Sequence, residues 1–210
     1  MWTTKNFTNK EVWGLDMLFI NENEDQIHAS APRDIIPQLT NLLTEGYIFH
    51  IEKFNVSKIN GTYRPIIDGE YKISLKNDTI VKRFEDQTLP IPFYKFSFVE
   101  FNEITHRYNH PKYLTDIVGK LKAITEIELV SKRNGETSPK WDLLLENVCG
   151  STMKITVWDH MLEEIPLDLS QIPSTLIVLI VTSTTIDIFK GVCYLKPISA
   201  TKMYYNLEIP

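Results

Sequence analysis

Short runs of alternating apolar and polar residues, cut by turn residues at close intervals, constrain this chain more than any other feature. Trp13-Gly-Leu15-Asp-Met17-Leu-Phe19, Tyr71-Lys-Ile73-Ser-Leu75 and Met153-Lys-Ile155-Thr-Val157-Trp158 all alternate with period two. That period puts alternate side chains on opposite faces of a strand. Between the runs lie Asn23-Glu-Asp25, Asn60-Gly61, Asp68-Gly69, Asn134-Gly135 and Lys190-Gly191, all turn-forming sequences. The pattern predicts an all-β protein with short helices, built as a barrel or sandwich.

One order of elements occurs twice. A strand ends in a charged turn and is followed by a strand starting at Gln26-Ile27-His28-Ala29 or at Thr152-Met153-Lys154-Ile155. A short helix is expected over residues 33–43 in the first copy and 159–164 in the second. A hydrophobic strand follows, over 47–54 or 176–182, and then a hairpin at Asn60-Gly61 or Lys190-Gly191. This is the element order of the OB-fold, a five-stranded barrel plugged by a helix. The chain has 210 residues, enough for two such barrels with real cores. We expect an N-terminal domain over 1–104, a linker over 105–112 around His106-Arg-Tyr-Asn-His-Pro111, and a second domain over 113–210. The apolar set Phe93, Phe96, Phe98 and Phe101 is expected to pack back on the first barrel.

Several function classes lose support on the same grounds. The longest apolar run, Leu176-Ile-Val-Leu-Ile-Val181, is too short to span a bilayer, and the start shows no signal-peptide core. Neither a membrane nor a small-molecule substrate is expected as a partner. Two cysteines, Cys149 and Cys193, cannot build a disulfide framework or a four-cysteine zinc site. Cys149 is read as a small half-buried residue at a turn, and Cys193 likewise. The five histidines show no close ligand spacing, the carboxylate pairs read as solvated turn or helix-end residues, and the glycines form no phosphate loop. We therefore expect no catalytic residues, no metal and no cofactor.

A binding face remains. OB barrels hold single strands by stacking bases on aromatics while Lys and Arg follow the phosphates. Trp158 ends a strand with Lys154 nearby, Phe189 leads a hairpin beside Lys190, and Tyr63 follows a turn beside Arg64. Lys132 and Arg133 are expected in the hairpin between the first two strands of the second barrel, with Lys140 beyond it. The formal net charge is −5, with 11 Lys/Arg against 15 Asp/Glu in residues 1–105 and 11 against 12 in 106–210. Binding needs only a local basic groove, but the charge favours the second half.

The second half resembles the second single-strand-binding domain of the large subunit of replication protein A, in its plant form. The resemblance rests on Tyr113-Leu-Thr-Asp-Ile-Val-Gly-Lys120, Trp141-Asp-Leu-Leu-Leu-Glu-Asn147, Ile155-Thr-Val-Trp158-Asp159 and Ser199-Ala-Thr-Lys-Met-Tyr-Tyr-Asn-Leu-Glu-Ile-Pro210. The first half resembles the preceding plant domain through Asp25-Gln-Ile-His-Ala29, Leu43-Thr-Glu-Gly-Tyr47, Tyr71-Lys-Ile-Ser-Leu75 and Phe96-Ser-Phe-Val-Glu-Phe101. The resemblance implies single-stranded DNA binding without base readout, a role in replication, repair and recombination, and a nuclear location. RNA is an open alternative ligand, and other replication protein A-type subunits are open as partners. It matches Trp158 and Phe189 to the aromatic pair of the second barrel and Tyr63 to the hairpin aromatic of the first. The remaining position falls at Pro32, which offers no equivalent stack. Little precedes Trp2, so the first barrel is expected to be open or short of its first strand. A rival reading is an OB-fold protein-interaction module, or a degenerate paralogue with little nucleic-acid binding. Acidic charge, Pro32 and the short start favour it.

Overall fold

The computed structural model describes residues 1–5, 11–59, 69–86, 88–108, 113–131, 135–158 and 177–208. The chain forms two compact units, Met1–Lys95 and Phe96–Pro210. Both are β-rich OB arrangements, as the repeated element order predicts.

In the first unit the strands are β1 (Trp2–Lys5), β2 (Val12–Ile20), β3 (Gln26–Pro32), β4 (Phe49–Glu52), β5 (Asn55–Lys58), β6 (Tyr71–Ser74) and β7 (Ile80–Arg83). One sheet runs β1-β2-β3-β6-β5, with β3 and β6 parallel; β4 and β7 form a separate ribbon. The sheet's inner face carries Leu15, Met17, Ala29, Ala31 and Ile73. A helical segment follows β3, a 3-10 turn at Arg33–Ile35 running into α1 (Ile36–Leu42), close to the expected 33–43. Pro37 is tolerated in its first turn, where backbone donors lack intrahelical partners anyway. Leu39 and Leu43, four apart, join Ile35 against the core. The expected strand over 47–54 is divided: Lys53 takes a left-handed φ of 62°, ending β4 before β5 begins. The expected hairpin at Asn60-Gly61 lies outside the described residues.

The second unit contains α2 (Ile104–Tyr108), β8 (Thr115–Ile124), β9 (Glu128–Ser131), β10 (Thr137–Glu146), β11 (Thr152–Trp158), β12 (Val178–Phe189), β13 (Val192–Lys196) and β14 (Met203–Tyr205). Its barrel closes: β8 pairs β10, β10 pairs β11, β11 runs parallel to β13, β13 pairs β12, and β12 returns to β8. Ile117, Leu143, Leu145, Ile155, Val157, Leu179, Val181 and Leu195 fill it. The helix expected over 159–164 lies outside the described residues. The strand expected over 176–182 is longer, and β12 continues as far as Phe189.

The aromatic run before α2 departs from expectation. Phe93 belongs to the first unit, where its ring covers Gly46. Phe96, Phe98 and Phe101 belong to the second. Phe101 and Ile104 are buried in the second core, and Phe96 stacks on Phe98 with centroids 5.2 Å apart. The cause is Asp116 on β8. Its carboxylate accepts the Ser97 N–H at 3.1 Å and the Ser183 N–H at 2.8 Å, while the Val99 N–H bonds its carbonyl at 2.9 Å. Residues 96–108 are thereby stitched to the second barrel. The units divide at Lys95/Phe96 rather than at residue 104, and part of the expected linker is α2.

Two local structures recur in the same places in both units. The Asn21 side chain accepts the N–H groups of Asn23 and Asp25, and Asn147 accepts those of Cys149 and Ser151. Each turn has one left-handed residue, Glu24 (φ 62°) or Gly150 (φ 79°). Thr79 Oγ1 accepts the Lys76 N–H and donates to the Lys53 carbonyl; Thr201 Oγ1 accepts the Ile198 N–H and donates to the Ser183 carbonyl. Lys53 and Ser183 are both left-handed. These matches fix a residue-by-residue correspondence between the units. Cys149, in the second of the turns, is exposed rather than half-buried, because the turn projects from the barrel.

Candidate nucleic-acid interface

The outer face of β10, β11, β13 and β12 carries Lys154, Trp158, Phe189 and, at the hairpin tip, Lys190. On β11, Met153, Ile155 and Val157 point inward, so Lys154, Thr156 and Trp158 point outward. Lys140 pairs in register with Trp158, and Asp142 with Thr156. Parallel pairing of Ile155 with Leu195 sets Tyr194 beside Lys154, and Asp187 pairs with Tyr194. The half-buried Trp158 ring lies 5.9 Å from Lys140 Nζ.

Phe189 stands at the other end of this face. Lys190 (φ 52°) and Gly191 (φ 78°) form a two-residue turn between paired Phe189 and Val192. Two left-handed centres make a type I′ turn, whose twist suits a hairpin. The tip carries Phe189 into solvent at 64% exposure, with Lys190 Nζ 5.4 Å from its ring. The register puts Val192 beside Thr152, six residues from Trp158, so the aromatics bracket a lane about 20 Å long at ~3.3 Å per residue.

Charges within the lane are largely paired. Asp142 sits 3.4 Å from Lys154 Nζ and 4.0 Å from Lys140 Nζ, and it accepts the Thr156 hydroxyl at 2.7 Å. Lys140 also meets Glu128 at 3.4 Å. Tyr194 donates to Asp187 at 3.2 Å, and Lys154 Nζ lies 5.3 Å from its ring. Partial burial, and then the Asp187 carboxylate, push the Tyr194 phenol above its ordinary value. Lys190 and Lys196 carry no ion pair among the described residues. Tyr194, Asp142 and Asp187 escaped sequence reasoning, whereas Lys140 was legible as a basic residue beyond the Lys132–Arg133 hairpin. Alternation in Val192-Cys-Tyr-Leu-Lys196 is the signal that puts Tyr194 outside once Leu195 is inside.

Lys132 and Arg133 lie outside the described residues, as do Tyr63 and Arg64. The correspondence between units nevertheless defines the first unit's lane. Pro32 pairs with Gly14 as Trp158 pairs with Lys140, and Asp16 with Ser30 as Asp142 with Thr156. His28 takes the place of Lys154, and Lys72 that of Tyr194. Asp16 here meets the buried His28 Nε2 at 2.8 Å, under the Trp2 ring stacked 6.1 Å away. The first lane thus lacks the counterparts of Lys140, Lys154, Trp158 and Tyr194.

Comparison with known proteins agrees with this architecture. The fold and its outer face define a tandem OB-fold protein. The chain belongs to the family described as "Domain of unknown function DUF223", whose model matches residues 2–107. It is 23% identical over 191 residues to one of the replication protein A 70 kDa DNA-binding subunits of Arabidopsis thaliana, covering 90% of this chain and 30% of that protein. It is 25% identical over 138 residues to replication factor A protein 1 of Schizosaccharomyces pombe, covering 65% of this chain and 22% of that protein. The chain therefore spans less than a third of these relatives. A solved replication protein A heterotrimer bound to single-stranded DNA superposes with a TM-score of 0.61 at 20% identity, covering 99% of this chain and 46% of that one.

Proposed function

We propose that this protein binds single-stranded DNA without catalysing a reaction, and that the second unit does most of the binding. The observation that carries the reading is the bracketed lane: Trp158 at one end, exposed Phe189 at the other, Tyr194 and Lys154 between. Bases stack on Trp158 and Phe189, each stack contributing about 1–3 kcal/mol. Stacking is indifferent to base identity because every base has a π-face. Lys190 and Lys196 meet phosphates directly, whereas Lys140 and Lys154 must first leave Asp142. Lys132 and Arg133, which lie between β9 and β10 in sequence, add phosphate contacts in this reading. Tyr63 and Arg64 give the first unit one aromatic and one cation, a weaker site than its neighbour. A lane of about 20 Å holds roughly six stacked nucleotides at ~3.4 Å each, and fewer in extended form.

The replication protein A relatives support this reading through the DNA-binding role in their names and the shared fold. A nuclear role in replication, repair and recombination, and association with other subunits of that type, follow as part of the same proposal. The test is fluorescence anisotropy with labelled oligo-dT at low salt. Wild type binds it more tightly than duplex, and Trp158→Ala with Phe189→Ala weakens binding about a hundredfold. A double variant that binds as wild type does would overturn the site. No binding by wild type at micromolar concentration would favour a protein-interaction module instead.

A further inference from the structure

The stacking lane holds an acidic group that stacking and phosphate contact leave unused. Ile186, Cys193 and Leu195 pack in the core of the second barrel. Alternation then turns Asp187 and Phe189 of β12 outward on the same face as Tyr194, with Asp187 and Tyr194 in register. Asp187 and Phe189 stand two residues apart on one strand, roughly 7 Å. Asp187 Oδ1 accepts the Ile188 N–H at 2.8 Å, and its Oδ2 accepts the Tyr194 hydroxyl at 3.2 Å. No Lys, Arg or His pairs with it among the described residues. Lys154, which faces the Tyr194 ring, is held by Asp142 at 3.4 Å. A carboxylate without a cation repels a phosphate, so the DNA backbone is not what Asp187 suits. A carboxylate has about four lone-pair sites. Ile188 and Tyr194 use one on each oxygen, and each oxygen keeps another to accept with.

We propose that Asp187 makes the Phe189 stacking site selective for guanine, the base whose pairing edge offers two N–H donors side by side. The selectivity rests on single-strand binding through Phe189 and adds base choice to a lane where stacking alone gives none. Phe189 is 64% exposed, so a base can lie on its ring with one edge toward Asp187. A carboxylate only accepts. Guanine presents N1–H and an N2 amino hydrogen together, one for each Asp187 oxygen. Cytosine and adenine present one amino donor beside a ring nitrogen that accepts. Thymine presents one N–H between two carbonyls. Those acceptors face a negative group and are repelled. Two-pronged pairing of a side chain with a base edge is the contact that discriminates best. Ile188 and Tyr194 already hold the carboxylate in place, so little freedom is lost when a base arrives. Pairing edges are open only in unpaired strands, which confines the selectivity to single strands.

The experiment uses the whole chain and three labelled oligonucleotides of equal length: oligo-dT, alternating dT-dG and alternating dT-dI. Inosine keeps the purine ring and N1–H of guanine but lacks the N2 amino group, so the last two differ by the second donor alone. Alternation lets a short slide bring a purine onto Phe189, and lithium buffer disfavours guanine quartets. Fluorescence anisotropy should show wild type binding the dT-dG strand about tenfold more tightly than the dT-dI strand, and more tightly than oligo-dT. Asp187→Asn replaces one acceptor oxygen by a donor. It should bring the dG-to-dI ratio close to one while oligo-dT binding holds or tightens. A hairpin merely damaged by the substitution would weaken all three strands together and keep the ratio, and that result overturns the proposal. Equal binding of the dG and dI strands by wild type also overturns it, while leaving single-strand binding intact. Wild type that binds none of the three overturns it together with the site.

Discussion

Asp142 holds two of the lane's lysines, and this gives it leverage over binding. A carboxylate on two cations occupies the sites that phosphates would take, so a bound strand must exchange one anion for another. Asp142→Asn releases Lys154, while Lys140 keeps its closer pair with Glu128, and oligo-dT binding should become tighter. The slope of log K against log salt should steepen by about 0.7 for each additional phosphate contact. Salt titration by anisotropy checks both; a variant with unchanged slope would show that the lysines never reach phosphate. Asp116 illustrates a different residue-scale effect. Burial pushes its carboxyl above the ordinary value against the lowering effect of two backbone donors and Arg107. The folded state therefore holds the proton more tightly than the unfolded one. The stability from this group is fully present below the unfolded value near 3.8 and lost as pH rises through the raised folded value. Asp116→Asn removes one acceptor and costs about 1–3 kcal/mol. That penalty should be largest in acid and shrink as pH rises, which urea midpoints measured against pH would show.

At the scale of elements, the β12–β13 hairpin and the two asparagine turns make the sharpest predictions. Gly191 sits at φ 78°, where a side chain is strained. Gly191→Ala should cost about 1 kcal/mol of stability and also displace Phe189, so binding falls while the barrel stays folded. Circular dichroism together with anisotropy separates the two effects. Asn147→Ala strips the partners from two backbone N–H groups in the β10–β11 turn and should lower stability by about 1–2 kcal/mol. Asn21→Ala should do the same to β2–β3. These turns were visible in the sequence only as polar breaks. Asn21 and Asn147 perform the same task, but no shared neighbouring residues advertise it, because the backbone path recurs and the side chains around it do not. Strand alternation was legible because it is local. Tyr194 was not picked out because its outward aim depends on which neighbour the barrel buries.

For the whole molecule, the division at Lys95/Phe96 matters most. A chain beginning at Phe96 retains Phe101, Ile104 and the Asp116 bonds, and should unfold cooperatively and keep most of the oligo-dT affinity. A chain beginning at Tyr113 loses two buried core side chains. It should be destabilised by several kcal/mol, at roughly 3–5 for a large aromatic and 2–5 for an aliphatic residue, less whatever the core recovers by collapse. Thermal melts of the two fragments decide this, and equal stability would remove residues 96–108 from the second core.

The sequence by itself determined the β-rich class, the repeated element order, the candidate pair Trp158 and Phe189, and the loss at Pro32. The class, the element order and the candidate pair rest on period, turn chemistry and residue type, which are local properties, and the loss at Pro32 rests on the family resemblance. Only the tertiary structure decided that Phe96, Phe98 and Phe101 serve the second unit and that Asp142 restrains its lysines. Those facts depend on which strands meet across long sequence separations. Pairing of that kind is fixed by burial and backbone hydrogen bonding over a whole unit, and no short stretch of residues encodes it.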